Sequence, residues 1–201
     1  FILCKKELKD YVNKGCPSVM GGPLPHVIAA KAIAFKEANT KNFQNYAQQV
    51  VDNADALAKA LIDSGMDIVT GGTENHLLII DLKKLGLNGR QAEKALRQCH
   101  MTVNRNAIPN DPNGPWYTSG VRIGTPAMTT LGMGVQEMKE IASLIAEVLH
   151  NAHPERLKTG TLSKGVATVA PLIEEKTKAR VRDLLFNYPL YPEIQVGEDT
   201  F

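Results

Sequence analysis

Arg122 is the side chain whose type and surroundings best suit the binding of an anionic substrate. Val121 and Ile123 flank it in a short predicted strand, and strand alternation directs the guanidinium away from the face that these two residues bury. A guanidinium held in this way can make two parallel hydrogen bonds to a carboxylate. The same pattern also fits an ordinary exposed arginine beside a strand, so both interpretations stay open.

The segment Gly21-Gly22-Pro23 lies just before a predicted helix and could face a second anion. Backbone N–H groups of consecutive glycines can approach a phosphate without obstruction, and a helix N-terminus adds partial positive charge. Two glycines and a proline before a helix also make an ordinary tight turn. The local sequence therefore predicts either a phosphate-binding loop or a plain turn.

Amide side chains are concentrated in the segment Asn104-Arg105-Asn106, which is followed by the stiff run Pro109-Asn110-Asp111-Pro112. Amide donors and acceptors can bind the polar edge of a heterocycle. The same residues can also stabilise Asx turns with no ligand present. Binding and turn formation remain alternatives for this segment.

Composition excludes several classes of protein. Lysine and arginine number 23 against 21 acidic residues, and a net charge of +2 gives no long-range attraction to nucleic acid or to an anionic membrane. Three cysteines with no Cys-x-x-Cys and five scattered histidines indicate neither a disulfide framework nor a metal site, and favour a reducing, cytoplasmic setting. No apolar run approaches the ~18–20 residues of a membrane span.

Hydrophobic spacing predicts the elements that must position these residues in the first third of the chain. Residues 1–4 are predicted to form a buried strand and residues 5–20 a loop with room for one helical turn. Pro25 suits the first turn of a long helix that is interrupted near Asn39 and Thr40 and stops at Gly65. Because a natural protein rarely begins inside a strand, the sequence is expected to be a fragment.

Beyond Gly65 the spacing changes to alternating strands and helices. Strands are predicted at residues 68–69, 76–82, 102–104 and 120–123, and helices at Gly89–Gln98, at 135–149 and from Pro171 onward. Thr125 is predicted to cap a helical turn that Pro126 opens. Residues 151–169 contain two glycines and a proline and are predicted to be a connecting loop.

Four motifs in sequence order resemble those of the serine hydroxymethyltransferase family. They lie at residues 21–32 (GGPLPHVIAAKA), 71–77 (GGTENHL), 103–106 (VNRN) and 119–127 (SGVRIGTPA). The resemblance implies a chain of α/β and α+β class from the C-terminal portion of such an enzyme. Residues 1–62 would be the end of the large domain of a fold-type-I pyridoxal-phosphate enzyme, with a strand, a loop and a long helix. Residues 63–201 would be a small α+β domain with a linker near 151–169.

The resemblance also implies roles for single residues. Arg122 would bind the carboxylate of serine or glycine, and Asn106 would contact the pterin of tetrahydrofolate. Gly21 and Gly22 would offer N–H groups to the phosphate of pyridoxal 5'-phosphate in the neighbouring subunit of a homodimer or larger oligomer. The implied reaction moves the hydroxymethyl carbon of serine to tetrahydrofolate, leaving glycine and 5,10-methylenetetrahydrofolate.

Some features depart from the family pattern. Met20 stands where family members usually have glutamine, and residues 154–170 are longer than the expected linker. The Schiff-base lysine of the family is expected upstream of Phe1, and no lysine here, Lys164 included, has the flanking residues to replace it. The isolated chain is therefore expected to be inactive.

Two other interpretations remain. Another fold-type-I pyridoxal-phosphate enzyme, an aminotransferase or an acyl-transferring synthase, would explain Arg122 but not the Asn106 segment. A stand-alone ligand-binding module of residues 66–150 would leave the preceding strand and helix with no sheet to pack on.

Overall fold

The computed structural model describes residues 2–16 and 18–192. It divides into two compact units, one reaching to Asn45 and the other beginning at Tyr46. The domain division predicted at residues 62–63 concerns the whole protein and stays a prediction.

The first unit is mainly helical. A 3-10 turn at Lys6–Leu8 leads into helix α1 (Lys9–Lys14), and α2 spans Pro25–Ala38. Residues 5–20 were predicted to be a loop with room for one helical turn, and the helical part is longer than that because it comprises both the 3-10 turn and α1. The predicted strand at 1–4 is not formed by Ile2, Leu3 or Cys4, while Phe1 lies outside the described residues. A strand needs a neighbour to satisfy its backbone groups, and no strand is described anywhere before Asp67.

Helix α3 (Lys41–Asp63) follows the predicted interruption near Thr40. The Thr40 hydroxyl oxygen accepts a hydrogen bond from the backbone N–H of Phe43 at 3.2 Å, which satisfies one of the free donors at the start of the helix. Further along, one face of α3 is apolar and buried, as its spacing predicted. That face consists of Val50, Ala54, Leu57, Ala58 and Leu61.

A four-stranded antiparallel sheet forms the centre of the second unit. Its strands lie in the order β1 (Asp67–Ile68), β2 (Leu77–Asp81), β4 (Gly120–Gly124) and β3 (Asn104–Asn106). One face of the sheet buries Leu78, Ile80 and Val121 in a core shared with apolar residues of α3, α4 (Gly89–Gln98) and α6 (Val135–His150). The strand predicted at 102–104 begins two residues later than expected.

The helices of the second unit begin where local chemistry predicts. Helix α4 starts at a capping box, in which Asn88 and Gln91 exchange side-chain-to-backbone hydrogen bonds of 2.8 and 3.0 Å. Short α5 (Pro126–Thr130) and α7 (Pro171–Phe186) both start at the proline expected to open them.

The prediction of a connecting loop at residues 151–169 was wrong. Strands β5 (Ala152–Arg156) and β6 (Leu162–Val169) form an antiparallel hairpin there. Gly160 takes a φ of 84° in the turn, and the register shifts between Pro154 and Arg156. Two of the three residues that suggested a loop, Gly160 and Pro154, therefore lie at the turn and at an irregularity within a hairpin.

No helix in the described ranges is long and apolar enough to cross a membrane. Within those same ranges, no group of three or more histidine, cysteine, aspartate or glutamate side chains is placed to hold a metal ion.

Candidate functional site

Two of the residues singled out in the sequence lie on the same face of the four-stranded sheet. Arg122 of β4 pairs with Ile79 of β2 on one side and with Asn104 of β3 on the other. Asn106 pairs with Gly120, two residues before Arg122, so strand alternation places it on the same side. We call the face formed by Ile79, Asn104, Asn106 and Arg122 the outer face; the opposite face is the buried one.

Arg122 is exposed on the outer face, while its neighbour Val121 is fully buried. The outward direction predicted from strand alternation is therefore confirmed. Its Nε–H donates to Oδ1 of Asn104 at 3.2 Å. The two terminal nitrogens of the guanidinium make no hydrogen bond or ion pair with any other described residue. They remain available for the two-pronged binding of a carboxylate.

Asn106 is half-buried at the end of β3. Its amide nitrogen donates to the backbone carbonyl of Ala107 at 2.7 Å. Its amide oxygen accepts no hydrogen bond from the described part of the chain, although an amide oxygen can accept two. Asn106 thus makes one local contact and keeps an amide oxygen to which no described residue donates.

The loop that joins β3 to β4 is organised by Asp111. Its carboxylate accepts hydrogen bonds from the backbone N–H groups of Ile108 (3.1 Å), Asn113 (2.9 Å) and Ser119 (2.8 Å), and from the Ser119 hydroxyl. Burial alone would raise the pKa of this carboxyl group, but these hydrogen bonds outweigh it and hold the pKa of Asp111 below its usual value. An ionised Asp111 therefore fixes the path of the chain just after Asn106.

Gly120 allows this loop to pack closely on the sheet. A Cβ at this position would lie 2.8 Å from Cγ2 of Ile108 and 3.0 Å from the carbonyl oxygens of Asn106 and Ile80. Since real Cβ atoms do not approach neighbours so closely, only glycine fits here without displacing the strands on both sides.

Comparison with known proteins shows the family of the chain. The serine hydroxymethyltransferase family model matches residues 4–145, well over half of the chain. The chain belongs to the serine hydroxymethyltransferase family. It is 59% identical over 194 residues to the serine hydroxymethyltransferase of Treponema pallidum, a match that covers 96% of this chain and 34% of that protein.

Two chlamydial serine hydroxymethyltransferases show the same pattern. The Chlamydia muridarum protein is 54% identical and the Chlamydia caviae protein 52% identical, each over 195 residues that cover 97% of this chain and 39% of the relative. The chain thus spans 34–39% of the length of the relatives it matches, in their C-terminal portion. All four motifs of the sequence lie within the residues that the family model matches.

Gly21 and Gly22, the other predicted site residues of this family member, belong to the first unit. Gly21 has a φ of 68°, a conformation that favours glycine. Neither glycine donates its backbone N–H to another described residue, and a Cβ on either would meet nothing within 4 Å. Nearby, the Cys16 thiol donates to the Gly21 carbonyl at 3.3 Å, and Met20 is exposed.

Sequence reasoning missed a buried polar network that holds the end of β4 against α3. Asn53 is completely buried, and its amide nitrogen donates to the Thr129 hydroxyl and to the Met133 carbonyl, both at 2.9 Å. Thr125 is the N-cap residue of α5, as predicted, but its hydroxyl donates to the Val50 carbonyl at 2.8 Å and makes no capping hydrogen bond to the helix. The sequence signal for this network was Asn53 itself, a polar residue on the apolar face of α3.

Proposed function

We propose that the complete protein to which this chain belongs interconverts serine plus tetrahydrofolate with glycine plus 5,10-methylenetetrahydrofolate and water. Its cofactor would be pyridoxal 5'-phosphate. The observation that carries this proposal is the shared placement of Arg122 and Asn106 on the outer face, in a chain of the serine hydroxymethyltransferase family. Arg122 is suited to bind an amino-acid carboxylate and Asn106 to bind the polar edge of a heterocycle. The reaction needs both substrates side by side.

Arg122 would bind the carboxylate of serine or glycine. Its terminal nitrogens have no partner among the described residues, and the third guanidinium nitrogen is already held by Asn104. A guanidinium in this state presents two parallel donors in a fixed plane, which match the two oxygens of a carboxylate. The binding would set the orientation of the amino acid rather than supply a proton.

Asn106 would accept a hydrogen bond from the pterin of tetrahydrofolate. Its free amide oxygen and its half-buried position support this role. The Asp111 network would keep the following loop in place while folate enters and leaves. With Arg122 and Asn106 on one face, the hydroxymethyl carbon would have only a short distance to move between the substrates.

The glycine loop fits a phosphate. Gly21 and Gly22 carry no side chain to obstruct an anion, and their N–H groups have no partner in the described ranges. We infer that these N–H groups would hold the cofactor phosphate in the neighbouring subunit of a homodimer. When bound, pyridoxal phosphate supplies an electron sink for the substrate Cα.

No lysine of this chain has the flanking residues of the family's cofactor-binding lysine. We therefore propose that the 201-residue chain is inactive by itself. The isolated chain is expected to form no glycine from serine and to retain no stoichiometric pyridoxal phosphate after gel filtration. Stoichiometric retention of the cofactor would contradict this. The complete protein is expected to act in the cytoplasm on free serine and glycine.

A product assay on the complete protein tests the proposed function. Serine labelled at its hydroxymethyl carbon should yield unlabelled glycine and labelled methylenetetrahydrofolate in equal amounts, only when tetrahydrofolate is present. Conversion of serine to a 2-oxo acid would favour an aminotransferase. Condensation of glycine with an acyl thioester would favour an acyl-transferring synthase. Either result, or no transfer of label to folate, would overturn the proposal.

A further inference from the structure

We propose that Asn104 is a positioning residue that orients the guanidinium of Arg122 for carboxylate binding. This inference rests on the proposed role of Arg122. Asn104 pairs with Arg122 across β3 and β4, and its Oδ1 accepts from Nε of Arg122 at 3.2 Å. It is the only described residue that bonds to the Arg122 side chain.

The orientation of the Asn104 amide is fixed by two contacts. Arginine only donates hydrogen bonds, so the atom facing its Nε must be the amide oxygen. The amide nitrogen then points the other way and donates to the backbone carbonyl of Arg105 at 3.3 Å. Because that carbonyl belongs to β3 itself, the acceptor offered to Arg122 is anchored to the strand.

The hydrogen bond from Nε of Arg122 to Asn104 leaves the donors on the two terminal nitrogens free. A guanidinium has five N–H groups, and the four on its terminal nitrogens can engage a carboxylate end-on in a two-pronged geometry. If Nε had no acceptor, the side chain could rotate among its rotamers on an exposed strand position and would lose entropy on binding substrate. The contact with Asn104 therefore holds Arg122 in a binding-ready state without using the donors that the carboxylate needs.

Neither Ile79 nor Arg105 offers a side-chain acceptor to Arg122. Ile79, which flanks Arg122 on the other strand, carries no acceptor. Arg105, next along β3, alternates to the other side and pairs with Glu93 at 3.3 Å.

The placement of an amide rather than a carboxylate beside Arg122 has a further consequence. Asn104 supplies an acceptor without a negative charge that would compete with the substrate carboxylate for the guanidinium.

The test is a double-mutant cycle in the complete enzyme, with kcat/KM for serine measured at subsaturating concentrations. Asn104→Ala should lower this value by about 3- to 30-fold through a higher KM for serine, with kcat and the KM for tetrahydrofolate within twofold of wild type. In an Arg122→Ala background, Asn104→Ala should cause no further loss beyond twofold, because the group that it positions is gone.

Asn187→Ala is the matched control. Asn187 is also exposed and also donates its amide nitrogen to a backbone carbonyl, that of Asp183 at 3.0 Å, but it lies directly after α7. Asn187→Ala should leave kcat/KM for serine unchanged. Thermal unfolding of each variant identifies any loss that comes from misfolding.

The outcomes separate this inference from the proposed function. If Arg122→Ala leaves serine binding intact, the carboxylate role of Arg122 falls, and the role of Asn104 falls with it. If Arg122→Ala weakens binding but Asn104→Ala has the same effect in both backgrounds, only the positioning role is overturned. Equal increases in the KM values for serine and tetrahydrofolate would also overturn it, because they would indicate general damage to β3.

Discussion

Ser119 donates two hydrogen bonds to the carboxylate of Asp111, one from its backbone N–H at 2.8 Å and one from its hydroxyl. Ser119 directly precedes β4, whereas Asp111 lies in the loop that follows β3. The amide of Asn113 completes the arrangement by donating to the Ser119 hydroxyl oxygen at 2.9 Å. The pair therefore joins the loop after Asn106 to the strand that carries Arg122.

Asp111→Asn should destabilise this loop. One carboxylate oxygen becomes an NH₂ group that faces N–H donors, so at least one buried donor loses its acceptor, at a cost of roughly 1–3 kcal/mol. Urea unfolding of the complete protein at pH 7 measures this difference. The KM for tetrahydrofolate should rise as well, because the loop adjoins Asn106.

The pH dependence of this difference follows from the lowered pKa of Asp111. A carboxyl group whose pKa is lower in the folded state contributes its stabilisation above its unfolded pKa and loses it as the pH falls through the folded value. The difference in the free energy of unfolding between wild type and Asp111→Asn should therefore be constant from pH 8 to about 5 and become smaller below about pH 4. A gap that narrows already between pH 8 and 6 would show that another group is responsible.

Local patterns were sufficient to predict much of the secondary structure. The apolar spacing of α6 and the prolines that open α5 and α7 are all properties of neighbouring residues, and the structure agrees with each of them. The β5–β6 hairpin was missed because Pro154, Gly160 and Gly165 resemble loop residues. Its alternating buried residues, Ser163, Ala167 and Val169, are mostly small and give a weak strand signal.

The candidate site was only partly predictable for a different reason. Alternation along β4 is enough to direct Arg122 outward, but its pairing with Asn104 depends on strand register. That register is set by long-range contacts such as Asp111 with Ser119 and by the space that Gly120 leaves for Ile108. No pattern within a short window of sequence contains this information.

Arg122→Lys should be almost as damaging as Arg122→Ala in the complete enzyme. An ammonium group cannot reproduce the planar, two-pronged contact of a guanidinium with a carboxylate. A hydrogen bond to a charged group contributes ~1.5–3 kcal/mol, so kcat/KM for serine should fall at least ~10-fold in both variants. A lysine variant within twofold of wild type would mean that Arg122 does not bind the carboxylate.

Gly21→Val should weaken cofactor binding and dimerisation together. Gly21 has a φ of 68°, which a β-branched residue adopts only with strain, and the added side chain would displace backbone N–H groups from the phosphate. Dissociation of pyridoxal phosphate and sedimentation of the dimer measure the two effects. Gly165→Ala is the matched control, because it also adds a side chain to a glycine but lies on the β5–β6 hairpin. A stable Gly21→Val dimer with unchanged cofactor affinity would support a plain turn.

Asn106→Ala should separate folate binding from amino-acid binding. The amide oxygen of Asn106 has no partner among the described residues, whereas the pterin edge would lose one on truncation, at roughly 1–3 kcal/mol. The KM for tetrahydrofolate should therefore rise by about 5- to 100-fold. Glycine binding and folate-independent cleavage of 3-hydroxy amino acids should stay close to wild type, because Arg122 is untouched.

Asn113→Ala provides the comparison that this prediction needs. Asn113 lies in the loop after Asn106 and donates to Ser119, so its loss should loosen the loop without removing the acceptor offered to folate. If Asn106 binds the pterin, Asn106→Ala should raise the KM for tetrahydrofolate well beyond Asn113→Ala at comparable thermal stability. Equal effects of the two variants, or equal loss of folate-dependent and folate-independent activity in Asn106→Ala, would mean that Asn106 only supports the turn through its contact with Ala107.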